Sequence, residues 1–314
     1  MSGSSNQQPE SQPVTVGEAE SAPMAVAPSL GARVAARLEG LGGRSAIVAR
    51  RFPVPTLPRR VVRPSEVEHE GHEHADDHGR ISSSVEESIA VRGDEIFPAA
   101  SLAKLCIAVE LMRRVDLGQY DLSEQFDTAD EPRVGGGGVL DYLDSTTRLT
   151  LNDLCFLMLG VSDNSASNFL LELLGMGEIN ETMARLKLEK TRLARRFMDW
   201  AAREARRENV TSAEEMVTLL ALFRGNALPG ASVLRGILAA QQRADDIQAW
   251  LPAEAQLGHK TGELEGIFHD AGMLAGPGGA CVFCILTAEQ QHLPTTRFVV
   301  GEVIRMLWDG WCVG

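Results

Sequence analysis

The sequence predicts an α+β fold: a five-stranded, mostly antiparallel sheet flanked by N- and C-terminal helices, with an all-α subdomain inserted in the middle. Apolar residues recur at helical spacing near both ends of the chain and through its centre. They recur at strand spacing in two segments before that centre and in three segments after it. A chain of 314 residues is long enough to bury a large core.

The first part of the chain supplies one helix and two strands. A helix is predicted from Leu30, in LGARVAARLEGL, and Gly42 and Gly43 end it. SAIVARR is then predicted to be a strand and SSSVEESIAV its neighbour. Residues 52–80 lack periodicity and are predicted to be a long insertion between these strands.

The middle and the end of the chain supply the helical block and the remaining strands. The first predicted helix of this block is SLAKLCIAVELMRRV. The second is TLNDLCFLMLGV, with Thr150 as N-cap and Asp153 in a capping box, and the third is SASNFLLELLG, which Gly175 ends. Thr211 or Ser212 should cap AEEMVTLLALFRG, which ASVLRGILAAQQ follows. QLGHKTG, IFHDAGMLAG and ACVFCILTA are predicted strands, and TTRFVVGEVIRMLW is the last helix.

This order predicts one domain of two lobes over residues 29–314, after a disordered tail over residues 1–28 that is rich in Ser, Gln, Pro and Glu. The α/β lobe is expected to comprise residues 29–97 and 214–314, and the all-α lobe residues 98–213. A cleft between two such lobes is a favoured place for a small-molecule site.

Composition excludes several classes of partner. The net charge of −13 argues against nucleic acid and against an anionic membrane surface, because both would repel the chain. The N-terminal residues do not resemble a secretory signal and no segment is apolar enough to span a membrane, so we expect a cytoplasmic protein. The five cysteines are scattered, and Cys281 and Cys284 should point to opposite faces of one strand rather than share a metal.

Ser101 and Lys104 lie three residues apart at a predicted helix start, in FPAASLAKL. At this spacing the two side chains share one helix face. The unpaired backbone N–H of a serine at a helix N-terminus can stabilise an oxyanion, and a neutral lysine beside it can accept the hydroxyl proton. Taken alone the pair is better explained as a polar helix start, since about 0.25 such matches are expected by chance.

Two further motifs occur later in the chain. Residues 162–164, Ser-Asp-Asn, form a polar turn that could simply precede a helix with Asn164 or Ser165 as N-cap. Residues 260–262, Lys-Thr-Gly, could place a cation and a hydroxyl at one edge of the sheet and let a ligand approach the backbone at the glycine, or they could be a strand-end lysine and a turn glycine. All three motifs in one chain should arise by chance on the order of once in ten thousand sequences, so together they indicate an active site.

S-x-x-K, S-D-N and K-T-G in this order resemble the motifs of class A β-lactamases and penicillin-binding proteins. The resemblance covers about residues 30–308, including LGVSDNSASNFLLELLG and HKTGELEGIFHDAGML beyond the bare motifs. It implies a β-lactamase/transpeptidase-like fold and a serine hydrolase that works through an acyl-enzyme.

The resemblance also implies a role for each motif residue. Ser101 would be the acylated nucleophile and Lys104 its general base or proton relay. Ser162 would pass a proton to the leaving nitrogen, and Lys260 would tune that proton and bind a substrate carboxylate. Backbone N–H groups of Ser101 and Glu263 would form the oxyanion hole. The substrate-binding residues would be Asn164, Thr261, Gly262 and Glu263.

One residue departs from the class A pattern. The glutamate that activates water for deacylation in those enzymes aligns with Phe197, in TRLARRFMDWAAREARRENV. Glu204 and Glu208 are expected to be solvated or salt-bridged, and Asp199 is the candidate for a replacement base. Without a base, acylation of Ser101 could proceed but hydrolysis of the adduct should be slow.

The predicted insertion carries a second departure, a group of histidines interleaved with acidic residues. Imidazoles at such short spacing can bind zinc, nickel or copper, but a flexible acidic loop is the simpler interpretation. The weak metal-ligand candidates are His69, His72, His74 and His78.

We therefore expect a β-lactamase-like serine hydrolase that acts on a small-molecule β-lactam or a related amide or ester, without a cofactor and with slow deacylation. A D-peptide peptidase, an esterase or a glutaminase of the same fold is the enzymatic alternative. A non-catalytic binding or metal-buffering protein is the alternative from another class. The sequence leaves the oligomeric state open.

Overall fold

The computed structural model describes residues 28–53, 85–144, 146–242 and 245–314. Most of the predicted N-terminal tail and of the insertion lies outside these residues, as do all four histidines of the proposed metal group. Within the described ranges, no helix combines the length and apolar character needed to cross a bilayer.

The element order matches the prediction, and shorter elements are added to it. The helices are α1 (Leu30–Glu39), α2 (Ala103–Asp116), α3 (Leu151–Gly160), α4 (Asn164–Leu174), α5 (Met176–Arg185), α6 (Trp200–Glu204), α7 (Ala213–Arg224), α8 (Ala231–Ala239), α9 (Asp245–Gln248) and α10 (Leu293–Leu307). The strands are β1 (Arg44–Phe52), β2 (Glu87–Val91), β3 (Phe97–Pro98), β4 (Gln125–Asp127), β5 (Arg148–Thr150), β6 (Val210–Thr211), β7 (Gln256–Leu264), β8 (Ile267–Gly276) and β9 (Gly279–Ala288).

The predicted five-stranded sheet is confirmed. Its strand order is β2-β1-β9-β8-β7, and every neighbouring pair is antiparallel. Central strands β8 and β9 are buried along almost their whole length because both faces of the sheet are covered, which explains their continuous apolar runs. Strand β7, which carries the Lys-Thr-Gly motif, lies at the edge of the sheet.

Two apolar cores lie on the two faces of this sheet. One core joins the sheet to α1 and α10, and the other joins it to α2, α7 and the helical block. Cys281 packs in the first core and Cys284 in the second, as expected for residues three apart on a strand. The cores therefore fix the sheet between the terminal helices and the inserted helices.

Local capping explains where several helices begin. Thr150 and Asp153 form the predicted capping box of α3, and Ser212 caps α7. The prediction for α4 was wrong: Asp163, rather than Asn164 or Ser165, is its N-cap, and its carboxylate accepts the Ala166 N–H at 2.9 Å.

The helix start around Ser101 also differs from the prediction. Helix α2 begins at Ala103, and Ser101 lies two residues earlier, in a 3₁₀ turn over Ala100–Leu102. Ala100 has φ 46°, a left-handed conformation that is strained for a residue with a Cβ. Ser101 therefore stands at a tight turn between β3 and α2 rather than within the regular helix.

Candidate active site

The three sequence motifs converge on one cavity of about 380 Å³. Ser101 reaches it from the turn before α2, Ser162 and Asn164 from the start of α4, and Thr261 and Glu263 from the edge strand β7. Segments that are far apart in the sequence therefore meet at this cavity, and Ser101 is half-buried at its wall.

Two lysines hold the hydroxyl of Ser162. Lys104 Nζ donates to Ser162 Oγ at 3.2 Å, and Lys260 Nζ donates to the same oxygen at 3.0 Å. Both lysine side chains are fully buried. Two ammonium groups on one buried hydroxyl repel each other. The arrangement thus links two potential proton carriers through one hydroxyl.

Further hydrogen bonds orient each lysine. Lys104 Nζ also donates to the Ser162 carbonyl at 2.6 Å and to Asn164 Oδ1 at 2.9 Å. Lys260 Nζ also donates to the Thr261 carbonyl at 2.8 Å. The hydrogen bonds of Lys104 thus join the Ser-x-x-Lys motif to the Ser-Asp-Asn motif.

Three of the eight described non-glycine residues with positive φ lie at the cavity. Ala100, Ser162 and Met198 all line it and have φ values of 46°, 59° and 63°. Residues with a Cβ adopt such conformations only when the surrounding fold imposes them, and they occur preferentially at functional sites. The strain turns the Ser162 hydroxyl toward the two lysines.

A run of four glycines, Gly135 to Gly138, packs over the Ser-Asp-Asn turn. Asn164 Nδ2 donates to the Gly135 carbonyl at 2.9 Å. At Gly138, which has φ 106°, a Cβ would lie 2.2 Å from the Asp163 carboxylate, so only glycine fits. That carboxylate also accepts the Val139 N–H at 2.7 Å, and the loop is thereby held against the site.

Phe197 is the residue that the sequence resemblance predicts at the position of the class A deacylating glutamate. Its ring centroid lies 4.9 Å from Lys104 Nζ, and its side chain is 7% exposed. Asn168 fixes its backbone, accepting the Phe197 N–H at 2.8 Å and donating to the Phe197 carbonyl at 3.1 Å. An apolar ring, rather than a glutamate carboxylate, therefore contacts Lys104 at this position.

The three nearby acids point elsewhere. Asp199 is the N-cap of α6, accepting the Ala202 N–H at 2.9 Å, and it is not among the described residues that line the cavity. Glu208 pairs with Arg195 at 2.7 Å and with Arg203 at 3.0 Å, while Glu204 is exposed. The geometry of Asp199 favours helix capping.

The edge strand β7 comes close to the turn that carries Ser101. A Cβ at Gly262 would lie 3.3 Å from Ala100 Cβ, so glycine permits this approach. Thr261 lies beside it at the cavity wall. The Glu263 carboxylate is paired with Arg297 at 2.6 Å. Residues 261–263 therefore present backbone and hydroxyl groups toward Ser101.

A buried histidine lies beside β7, on the neighbouring strand β8. His269 on β8 accepts the Thr287 N–H at Nδ1 over 3.1 Å, so its proton lies on Nε2 and is donated to the Pro98 carbonyl at 2.7 Å. Burial lowers the pKa of His269 to about 4, which keeps the ring neutral. His269 thus ties the sheet to the strand that leads into Ser101.

The sequence prediction missed several residues that build the cavity. Gly136, Arg195, Met198, Trp200 and Asn209 all line it. The glycine run was visible in the sequence and could have indicated a close approach of the backbone, whereas no pattern marks Asn209 or Trp200. Within the described ranges, no group of three or more His, Cys, Asp or Glu residues could hold a metal ion.

Comparisons with known proteins agree with this architecture. A model of the Beta-lactamase enzyme family matches residues 80–311. The chain is 29% identical over 234 residues to a β-lactamase of Streptomyces albus G, covering 70% of this chain and 74% of that one. It is 30% identical over 238 residues to β-lactamase AST-1 of Nocardia asteroides, covering 71% and 74%.

The fold is likewise shared with a solved structure. An ancestral (GNCA) class A β-lactamase is 26% identical, with a TM-score of 0.72 and coverage of 90% of this chain and 100% of that one. Because the family model spans well over half of the sequence, the chain belongs to the β-lactamase enzyme family, with the fold of class A β-lactamases.

Proposed function

We propose that the protein is a serine hydrolase that forms an acyl-enzyme on Ser101 from a β-lactam or a related amide or ester, and that releases this acyl group slowly. The observation that carries the proposal is the position of Ser162 Oγ between the Nζ atoms of Lys104 and Lys260, at the cavity that Ser101 lines.

In the acylation step, Lys104 acts as a neutral amine, which can donate only two of the three hydrogen bonds described above. Ser101 Oγ attacks the substrate carbonyl carbon while its proton passes to Lys104 Nζ. The carbonyl C–N bond then breaks. Ser162 gives its proton to the leaving nitrogen and recovers one from Lys104, so that both groups return to their starting states. The short contacts of Ser162 with Lys104 and Lys260 support this relay.

Two sets of groups in the site stabilise negative charge on the substrate. The backbone N–H groups of Ser101 and Glu263 stabilise the oxyanion that forms during attack. Lys260 and Thr261 bind a substrate carboxylate, and the pairing of Glu263 with Arg297 reduces the repulsion that this carboxylate would meet at the cavity wall.

The side chains around the proposed Ser101 ester support slow deacylation. The ring of Phe197, which the sequence resemblance aligns with the class A glutamate, contacts Lys104 and has no group that can activate water. Among the described residues, the carboxylates at the cavity are Glu263, paired with Arg297, and Glu265. Asp199 is engaged by the backbone of α6. We therefore expect that no carboxylate is positioned as general base, unless the exposed Glu265 takes that role.

Covalent labelling tests the proposal. A fluorescent penicillin or a fluorophosphonate should label the wild-type protein and Ser123→Ala, whose serine is exposed and remote, but not Ser101→Ala. Labelling of Ser101→Ala would contradict the assignment of the nucleophile. Failure of both probes to label the folded wild-type protein would favour a non-catalytic binding protein.

A further inference from the structure

The turn that follows α10 packs on the hairpin between β8 and β9. This turn covers Trp308–Cys312. The Gly278 N–H, in the bend of the hairpin, donates to the Cys312 carbonyl at 2.9 Å. A Cβ at Gly276 would lie 2.4 Å from the same carbonyl oxygen, so glycine permits this close approach. The turn therefore lies directly against the sheet.

Two cysteines meet where the turn contacts the sheet. Cys281 lies on β9 opposite Leu274 of β8, and opposite residues of an antiparallel pair have Cα atoms about 4.5–5.5 Å apart. Cys312 Sγ lies 3.9 Å from the Leu274 carbonyl oxygen. A hydrogen bond from the Cys312 side chain, together with burial, raises the pKa of the Cys281 thiol. The two thiols are therefore neighbours beside Leu274.

The sheet separates this pair from the other cysteines. Cys281 and Cys312 belong to the core that the sheet forms with α1 and α10. Cys106, Cys155 and Cys284 belong to the core on the opposite face. All five thiols are free and buried. Thiols that are close together on one face of the sheet can react with each other without any rearrangement of the strands.

We propose that Cys281 and Cys312 are a disulfide site, oxidised by a low-molecular-weight disulfide such as oxidised glutathione. The thiolate of one cysteine attacks the small disulfide, forms a mixed disulfide and releases one small thiolate. The thiolate of the other cysteine then attacks the protein sulfur of the mixed disulfide. The S–S bond now joins Cys281 to Cys312, and a second small thiolate leaves. The two cysteine protons pass to the two small thiolates, so the protein loses two electrons and the small disulfide gains them.

The cross-link would fasten the turn to a central strand of the sheet. It closes a loop that contains α10, and a loop closed in the unfolded chain favours the folded state. Burial makes both thiols unreactive while the turn is in place, so the reaction requires an open turn or an unfolded chain. Ser101 lies on the opposite side of the sheet, and the cross-link should leave its reactivity unchanged.

Refolding in a glutathione buffer tests the site without the barrier that burial creates. Reduced protein is unfolded in urea and diluted into a series of ratios of oxidised to reduced glutathione, and folding is followed by circular dichroism. Free thiols are then blocked with iodoacetamide, and peptides are identified by mass spectrometry. We expect a linked Cys281–Cys312 peptide as the main oxidised product. Wild-type protein that folds but stays reduced at every ratio, or that keeps glutathione on Cys312 without a link, would overturn the proposal.

The matched control lies on the same strand as Cys281. Cys284→Ser removes the thiol on the opposite face and should still give the linked peptide, whereas Cys281→Ser and Cys312→Ser should not. A cross-link that persists in Cys281→Ser would show that another pair reacts, and it would also overturn the proposal.

Urea denaturation tests the effect of the cross-link on the folded protein. The oxidised wild-type protein should unfold at a urea concentration about 1 M higher than the reduced protein. Cys312→Ser, taken through the same buffers, should show the same midpoint in both. An equal or lower midpoint for the oxidised wild-type protein would contradict a site that accommodates the bond. Neither measurement depends on whether Ser101 is acylated.

Discussion

At the scale of single residues, the site depends on Ser162. Its backbone is left-handed, with φ 59°, and its hydroxyl lies 3.2 Å and 3.0 Å from two buried lysine Nζ atoms. A serine that only ended a helix would need neither contact. The pair of lysines explains why strain is retained here, since the strained conformation places one hydroxyl between two proton carriers.

Removal of that hydroxyl should therefore impair acylation more than folding. We expect Ser162→Ala to lower the acylation rate of Ser101 by about 10²- to 10³-fold, because proton transfer to the leaving nitrogen is lost. The measurement is the rate of adduct formation with benzylpenicillin, followed by intact-protein mass spectrometry. Ser167 is a buried serine in α4 whose hydroxyl donates to the Asp163 carbonyl, and Ser167→Ala should change the rate less than threefold. A similar loss in both variants would contradict the assigned role.

Phe197 is the second residue with a specific expected effect. Phe197→Glu places a carboxylate where the ring now contacts Lys104, and it should accelerate hydrolysis of the Ser101 adduct by at least about tenfold. Phe197→Leu keeps the position apolar and is the control, with slow hydrolysis unchanged. The readout is the decay of the benzylpenicillin adduct after free ligand is removed. Unchanged decay in Phe197→Glu would argue that a missing base is not what limits release.

At the scale of elements, three asparagine side chains position the segment between α5 and β6. Asn168 bonds both backbone groups of Phe197, and Asn180 bonds both backbone groups of Leu193, at 2.8 and 2.9 Å. Asn209 accepts the Ala194 N–H at 2.7 Å. These amides satisfy backbone groups of residues 193–197, which lie in no helix or strand, so side chains help to fix this part of the cavity wall.

The two paired asparagines offer a matched comparison. Asn168→Ala and Asn180→Ala should each lower the free energy of unfolding by about 1–3 kcal/mol, because each leaves two backbone groups of the segment without their partner. Only Asn168→Ala should also change the decay of the Ser101 adduct, since only Asn168 holds Phe197. Chemical denaturation and adduct decay are measured on both variants. Equal changes in decay would show that the segment responds as a whole and that Phe197 has no separate part.

At the scale of the whole molecule, His269 connects the sheet to the strand before Ser101 and makes stability depend on pH. Its pKa of about 4 in the folded protein lies below the ordinary value of 6.5, because the ring is buried. As pH falls, the unfolded chain takes up a proton first. The stability contributed by the neutral ring is thus fully present above about pH 6.5. It is lost as the pH falls from 6.5 to 4, and the total loss in the free energy of unfolding is about 3 kcal/mol.

His269→Gln should remove this contribution and flatten the dependence of unfolding free energy on pH between 6.5 and 4. Urea denaturation at a series of pH values measures this pH dependence of the unfolding free energy. Phe268→Leu, a core change on the same strand, should lower stability at every pH and keep the wild-type slope. The account of His269 would be contradicted by a wild-type slope in His269→Gln.

The sequence predicted the sheet, the long helices and the three motifs because each depends on local periodicity or on fixed short patterns. It could not place Asp163 as the cap of α4, because Ser, Asp and Asn are all favourable caps and only tertiary contacts select among them. It could not show that Phe197 contacts Lys104 or that Trp200 lines the cavity, since both lie in a segment without periodicity. Those contacts depend on the asparagine bonds, which join residues far apart in the chain.

The central claim is that Ser101 is acylated readily and released slowly, and nitrocefin tests it most directly. Mixing the protein with excess nitrocefin should give an absorbance burst of about one equivalent followed by slow turnover. Intact-protein mass spectrometry over the same period should show a persisting adduct on Ser101, absent from Ser101→Ala. Rapid, sustained turnover without a persisting adduct would contradict the account.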